Sequence, residues 1–188
     1  MLYLNDHLMD FDLPAALSQL SEQRREQALH YRYELGQRTC AAAYLLLCEG
    51  LRAEYGITAK PHLIFGDHGK PAIDGHPEIH FNISHCREAV ICFVDNRPVG
   101  VDVETVHRLR DGLAEYTMNP QELEEIRSAA DPALAFTRLW TMKEALLKLT
   151  GEGINGHLKE ALLRDDVTFD TAIAPDGRYL YTICHHLT

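Results

Sequence analysis

The sequence predicts an α+β fold, and three observations carry that reading. One long helical stretch occupies the first half, a run of short strands and turns follows it, and a second long helix precedes a hairpin-like tail. At 188 residues the chain is long enough for a sizeable core in one domain, or for two small lobes sharing an interface.

The elements follow in order. Met1 to Asn5 alternates weakly and reads as an opening strand. Ser21-Glu22-Gln23-Arg24 is a helix entry, with Ser21 as N-cap and Glu22 in the first turn; the segment is polar and carries Arg24 beside Arg25. Leu35, Arg38, Ala42, Leu45, Leu46 and Leu51 keep helical spacing through 33–55, and Gly56 supplies a stop. Arg38 lies on or beside that apolar stripe, where a long cation either snorkels to water or faces a bound anion.

Past Gly56 the chain breaks into strands. His62 to Phe65 is strand-like, Gly66-Asp67-His68-Gly69 a turn, and Lys70 to Ile73 follows it. Ile79 to Ser84 and Ala89 to Val94 flank a loop holding Ser84, His85, Cys86 and Arg87. Asp95 to Pro98 turns the chain into Val99-Gly100-Val101-Asp102-Val103-Glu104, so one antiparallel meander is expected over about 79–104.

Beyond Glu104 the chain turns helical, first over Arg108 to Tyr116. Asn119-Pro120-Gln121-Glu122 joins an N-cap, a first-turn proline and an early acid. Asp131-Pro132 repeats the signal and launches a helix through Trp140 to about Thr150, ended by Gly151-Glu152-Gly153. Val167 to Ile173, a turn at Pro175-Asp176-Gly177 and Tyr179 to Cys184 form the closing hairpin.

The formal charge of −10 argues against nucleic acid as the main partner. The five cysteines show no CxxC spacing and several lie in apolar stretches, which predicts buried free thiols in a reducing cytosol. The start lacks a basic segment and reaches Asp10 and Asp12 early, and Ala41 to Cys48 is too short to span a bilayer. A cytoplasmic protein off the membrane is expected.

Two stretches carry chemistry. A period of two sends Val99, Val101 and Val103 to one face of their strand and Gly100, Asp102 and Glu104 to the other. Trp140, Glu144 and Lys148 fall four apart on one stripe of their helix. Asp102, Glu104 and Glu144 together would make an all-oxygen site suited to a hard cation such as Mg²⁺. The five histidines between His62 and His85 lack the spacing of a zinc site. On residue pattern alone Asp102 and Glu104 fit equally the solvated face of a half-exposed strand, and Lys143 and Lys148 fit surface lysines. Lys70 on its turn and Ser84-His85 at a strand end suit phosphate oxygens better than a catalytic pair, because triad partners meet in space and not as neighbours.

Taken in order, Gly69-Lys70-Pro71, Phe81-Asn82-Ile83-Ser84-His85, Gly100-Val101-Asp102-Val103-Glu104 and Trp140-Thr141-Met142-Lys143-Glu144-Ala145, continuing through Lys148 to Gly151, are more specific than any one of them. The chain resembles the 4′-phosphopantetheinyl transferase superfamily, in its two-lobed, surfactin-synthetase-activating type, over about residues 20–155. The resemblance implies a pseudo-two-fold pair of similar lobes, each an antiparallel sheet packed with a long helix, with the active site in the cleft between them. Residues 1–97 would form the lobe that binds the nucleotide of coenzyme A and 98–188 the lobe with the metal and catalytic residues, together one transferase domain.

It also implies the reaction. The phosphopantetheine arm of coenzyme A passes to a serine of an apo acyl or peptidyl carrier protein, leaving adenosine 3′,5′-bisphosphate, as in a holo-acyl-carrier-protein synthase. Mg²⁺, with Mn²⁺ left open, would be held by Asp102, Glu104 and Glu144. Glu144 is then ligand or proton acceptor, a choice the sequence leaves open, and Lys148 contacts a phosphate. Lys70, Pro71, Ser84 and His85 bind the nucleotide end, with Asp102 and Lys148 also on coenzyme A. Arg24 and Arg38 match basic positions near the family's first motif, with Gln27 where a family lysine stands. Tyr116 and Met118 would contact the carrier, helped by Arg108, Arg110 and Arg127; a monomer is expected. The rivals are another Mg²⁺-dependent enzyme that cleaves a pyrophosphate or nucleotide, and a non-catalytic module binding coenzyme A or a carrier.

Overall fold

Local capping chemistry sets the helices of the computed structural model, which describes residues 1–66, 69–107, 112–151, 153 and 158–187. Asp12 accepts from the backbone N–H of Ala15 and, with a proline in the first turn, starts α1 (Leu13–Gln19). The sequence reading did not anticipate this helix, although Asp12 and Pro14 are its signal. Ser21 accepts from the backbone N–H of Arg24 and opens α2 (Glu22–Leu29). α3 (Glu34–Tyr55) ends at Gly56, whose φ of 68° is the left-handed turn that glycine adopts without strain.

The chain divides into two compact units, Met1–Val99 and Gly100–Thr188. In the first, α3 packs on a sheet ordered β1 (Leu2–Asn5), β5 (Val90–Asp95), β4 (His80–His85), with both pairings antiparallel. Leu47 and Leu51 of α3 meet Phe81, Val90, Cys92 and Val94 in one buried cluster. The hairpin β2 (Leu63–Phe65) and β3 (Pro71–Ile73) adds Leu63 and Ile73 to that core. The turn predicted between these two strands includes Asp67 and His68, which lie outside the described residues.

In the second unit the sheet runs β6 (Val99–Thr105), β8 (Tyr179–His186), β7 (Val167–Ile173), and α6 (Pro132–Thr150) packs on β8. The predicted meander over 79–104 is therefore wrong. β4 and β5 pair as expected, but β6 joins the hairpin some 75 residues further on. Alternation fixes which way side chains point and not which strand supplies the hydrogen bonds.

The remaining helices are α4 (Leu113–Thr117), α5 (Pro120–Ser128) and a 3₁₀ helix, Leu158–Leu163. Asn119 and Glu122 close a full capping box on α5. Met118 is fully buried with Ala114, Ile126, Phe136 and Leu139. That removes it as a carrier contact: it is the core under α4 and α5, whereas Tyr116 stays 74% exposed. Arg108 and Arg110 lie outside the described residues. Among the described residues no helix is long and apolar enough to cross a membrane.

Candidate active site

Asp102 and Glu104 sit on a covered face. The three valines of β6 are buried, and Asp102 is itself only 3% exposed, so the solvated-strand reading fails. The cause is Gly100, which points to the same side. A Cβ there would fall 1.9 Å from the carbonyl oxygen of Ala145 and 2.5 Å from the backbone nitrogen of Leu149. Only glycine admits this approach, so α6 closes over the strand and brings its Trp140–Glu144–Lys148 stripe onto the carboxylates.

The contacts are specific. The Lys148 ammonium donates to Asp102 Oδ1 at 2.6 Å. The Trp140 side chain bears on the Glu104 carboxylate and favours its ionised form, and the ring stacks on Phe136 with centroids 6.3 Å apart. Burial, and then the Asp102 charge, push the Glu104 carboxyl up to about 7; Trp140 and Lys148 oppose this, and Glu144 adds to it. Burial and Asp102 likewise hold Glu144 above the usual carboxylate range, against Lys148.

This donor set fits a hard divalent cation. It consists of carboxylate oxygens, the mutual repulsion is what a cation would relieve, and Glu144 Oε1 is buried with no hydrogen-bond partner among the described residues. Among those residues no three His, Cys, Asp or Glu side chains are placed to hold a metal ion together, and Lys148 engages Asp102.

Lys143 is not a surface lysine. It is fully buried, with its ammonium 2.9 Å from Glu122 Oε2 and donating at 2.6 Å to the carbonyl of Leu158. The sequence held a signal for this: Phe136, Leu139 and Lys143 share one helical stripe, and the first two are core.

The first unit carries the basic and hydroxyl groups. Ser84 is buried and His85 exposed at the end of β4, beside β3, where Pro71 opens the strand after Lys70. Burial lowers the proton affinity of the Lys70 ammonium. Arg24 lies 6.0 Å over the Tyr44 ring and donates to Gln27 Oε1. Its Nε is buried without a hydrogen-bond partner among the described residues. Arg38 does not snorkel, since its side chain is only 11% exposed. Its guanidinium donates to Glu34 and to the carbonyls of Leu8 and Phe11, and stacks on Phe11, which makes it a clamp on the segment before α1.

Comparison with known proteins agrees with this geometry. The model of the 4′-phosphopantetheinyl transferase superfamily matches residues 98–185. The chain is 30% identical to a 4′-phosphopantetheinyl transferase of Bacillus subtilis over 168 residues, covering 86% of this chain and 74% of that one. It is 29% identical to psf-1 of Bacillus pumilus, covering 89% and 70%. A third relative, Sfp of Bacillus subtilis strain 168, is 25% identical, covering 82% and 70%.

Proposed function

The chain belongs to the 4′-phosphopantetheinyl transferase superfamily, and we propose that it moves the phosphopantetheine arm of coenzyme A onto a serine of an apo acyl or peptidyl carrier protein. The observation that carries this reading is the acidic set of the second unit, Asp102 buried and Glu104 and Glu144 half-buried, with Lys148 one helical turn beyond Glu144. Such a set serves attack of a hydroxyl on a pyrophosphate, where catalysis is mainly positioning and charge stabilisation.

Glu144 is the proton acceptor for the carrier serine. Burial and the Asp102 charge favour its taking up a proton, and a bound cation would oppose that. Lys148 presents its ammonium to a phosphate oxygen, giving up part of its contact with Asp102. Trp140 bears on Glu104 and favours its ionised form. Asp102, Glu104 and Glu144 would hold Mg²⁺, or Mn²⁺ in its place; when bound, the cation offsets charge on the phosphates.

In the first unit, Lys70 with Pro71, Ser84 and His85 takes the nucleotide end of coenzyme A, and Arg24 adds a cation near it. Arg38, bonded to the carbonyls of Leu8 and Phe11, supports that unit and is the weaker candidate for a contact with coenzyme A. Tyr116 is the exposed apolar contact for the carrier, with Arg127 nearby in sequence. We place the enzyme in the cytoplasm as a monomer.

The test is to incubate the protein with coenzyme A, Mg²⁺ and several apo carriers, then weigh the carriers. A phosphopantetheine mass gain that disappears in Glu144→Gln, with a rate loss of roughly 10²–10⁴-fold, is the expected result. Cleavage of coenzyme A without carrier modification would favour a hydrolase. Binding without either would favour a non-catalytic module.

A further inference from the structure

The Lys143–Glu122 pair lies outside the acidic set, yet Lys143 directly precedes Glu144. Successive residues of a helix point about 100° apart, so Lys143 faces α5 and the 3₁₀ helix while Glu144 faces the carboxylate strand. Most of the seam between α5 and α6 is apolar, with Ile126, Phe136 and Leu139 at its centre and Met118 beside them. Apolar contact is non-directional and lets one helix roll against another. At the end of this seam nearest Glu144 the apolar pattern gives way to a buried charge pair.

That pair is anchored on three sides. Glu122 Oε2 accepts from the Lys143 ammonium at 2.9 Å and from the backbone N–H of Asn119 at 2.8 Å, so one oxygen caps α5 and fixes α6. Lys143 donates to the Leu158 carbonyl, and Asn119 Nδ2 donates to the Lys159 carbonyl at 3.2 Å, which brings in the 3₁₀ helix. Glu122 Oε1 remains buried without a hydrogen-bond partner among the described residues. Desolvating two charges offsets most of what their attraction returns, and a well-packed apolar pair would hold such a seam as firmly. Stability therefore does not account for the pair; direction does.

We propose that Lys143 and Glu122 are positioning residues for the transfer. Their pair sets the rotation of α6 about its axis, so that Trp140, Glu144 and Lys148 meet Asp102 and Glu104 in working register. The proposal rests on the transferase reading for its kinetic test, and on Trp140, the sole tryptophan, for an independent one.

The decisive variant is the double substitution Lys143→Met with Glu122→Leu, which keeps the seam filled and removes both charges. Thermal unfolding should fall only by the few degrees that losing the bonds to the Asn119 N–H and the Leu158 carbonyl costs. The kcat for carrier modification should fall roughly 10²-fold, the cost of a misplacement of about an ångström, while KM for coenzyme A stays unchanged. Trp140 emission should shift as the indole loses its place against Glu104. Lys143→Met alone strands a buried carboxylate and should unfold at a still lower temperature. A double variant with wild-type kcat and wild-type emission would overturn the proposal. So would one that fails to fold, since the pair would then be a requirement of the fold itself. If wild-type protein modifies no carrier, the transferase reading fails, and the emission of the double variant still decides the positioning claim.

Discussion

Glu104 carries the pH dependence at the scale of single residues. Its folded carboxyl is pushed up to about 7 by burial and its acidic neighbours, while the unfolded chain releases that proton near 4.5. Between these values the folded state holds a proton that the unfolded state has lost. The contribution to stability is therefore present below about pH 4.5 and is lost as pH rises through 7. In the absence of divalent cation, the unfolding temperature should drop from pH 5 to pH 8 by roughly 2–4 °C, and Glu104→Gln should flatten that slope. Equal slopes in both proteins would mean that Glu104 does not titrate there. In the first unit, Lys70→Ala should raise KM for coenzyme A more than KM for its 3′-dephospho form. A uniform rise would argue against a 3′-phosphate contact.

A strand and a helix make the site at the scale of elements, and Gly100 sets their separation. An alanine Cβ would collide with the backbone of α6 at Ala145 and Leu149, where no flexible side chain can give way. Gly100→Ala should cost about 3 kcal/mol or more, as severe overpacking does, with a parallel loss of transfer. Urea unfolding and the carrier mass assay would check it, and a fully active, stable variant would show that α6 does not need this approach. The Arg38 clamp and the Lys143–Glu122 tie are the same kind of device: a long cation from one helix satisfies acceptors on a neighbouring segment.

Each unit packs one long helix on a three-stranded sheet, and the acidic set falls wholly within Gly100–Thr188 at the scale of the whole molecule. A cation that binds only the folded protein stabilises it by mass action, about 2.7 kcal/mol at a concentration one hundred times Kd. Mg²⁺ should raise the unfolding temperature of the wild type, chelation should reverse the rise, and Asp102→Ala should abolish it. The rise should be larger at pH 8 than at pH 5, because protons compete for Glu104 in the acid range. A shift of equal size in Asp102→Ala would place the cation elsewhere.

The start of α6 at Asp131-Pro132, the capping box of α5, the Gly56 stop and the carboxylate strand with its neighbouring valines were legible because each depends on chemistry within a few residues. The order of the motifs was enough to mark Asp102, Glu104, Glu144 and Lys148 as candidates. Tertiary structure alone decided that β6 pairs with β8, that its acidic face lies under a helix, that Lys143 and Met118 are core, and that Arg38 is a clamp. The physical reason is shared. A local pattern fixes where a side chain points, but burial and partnership depend on what a distant segment places there. Gly100 joins the two levels, since a single missing methyl group in the sequence lets the later helix cover the strand.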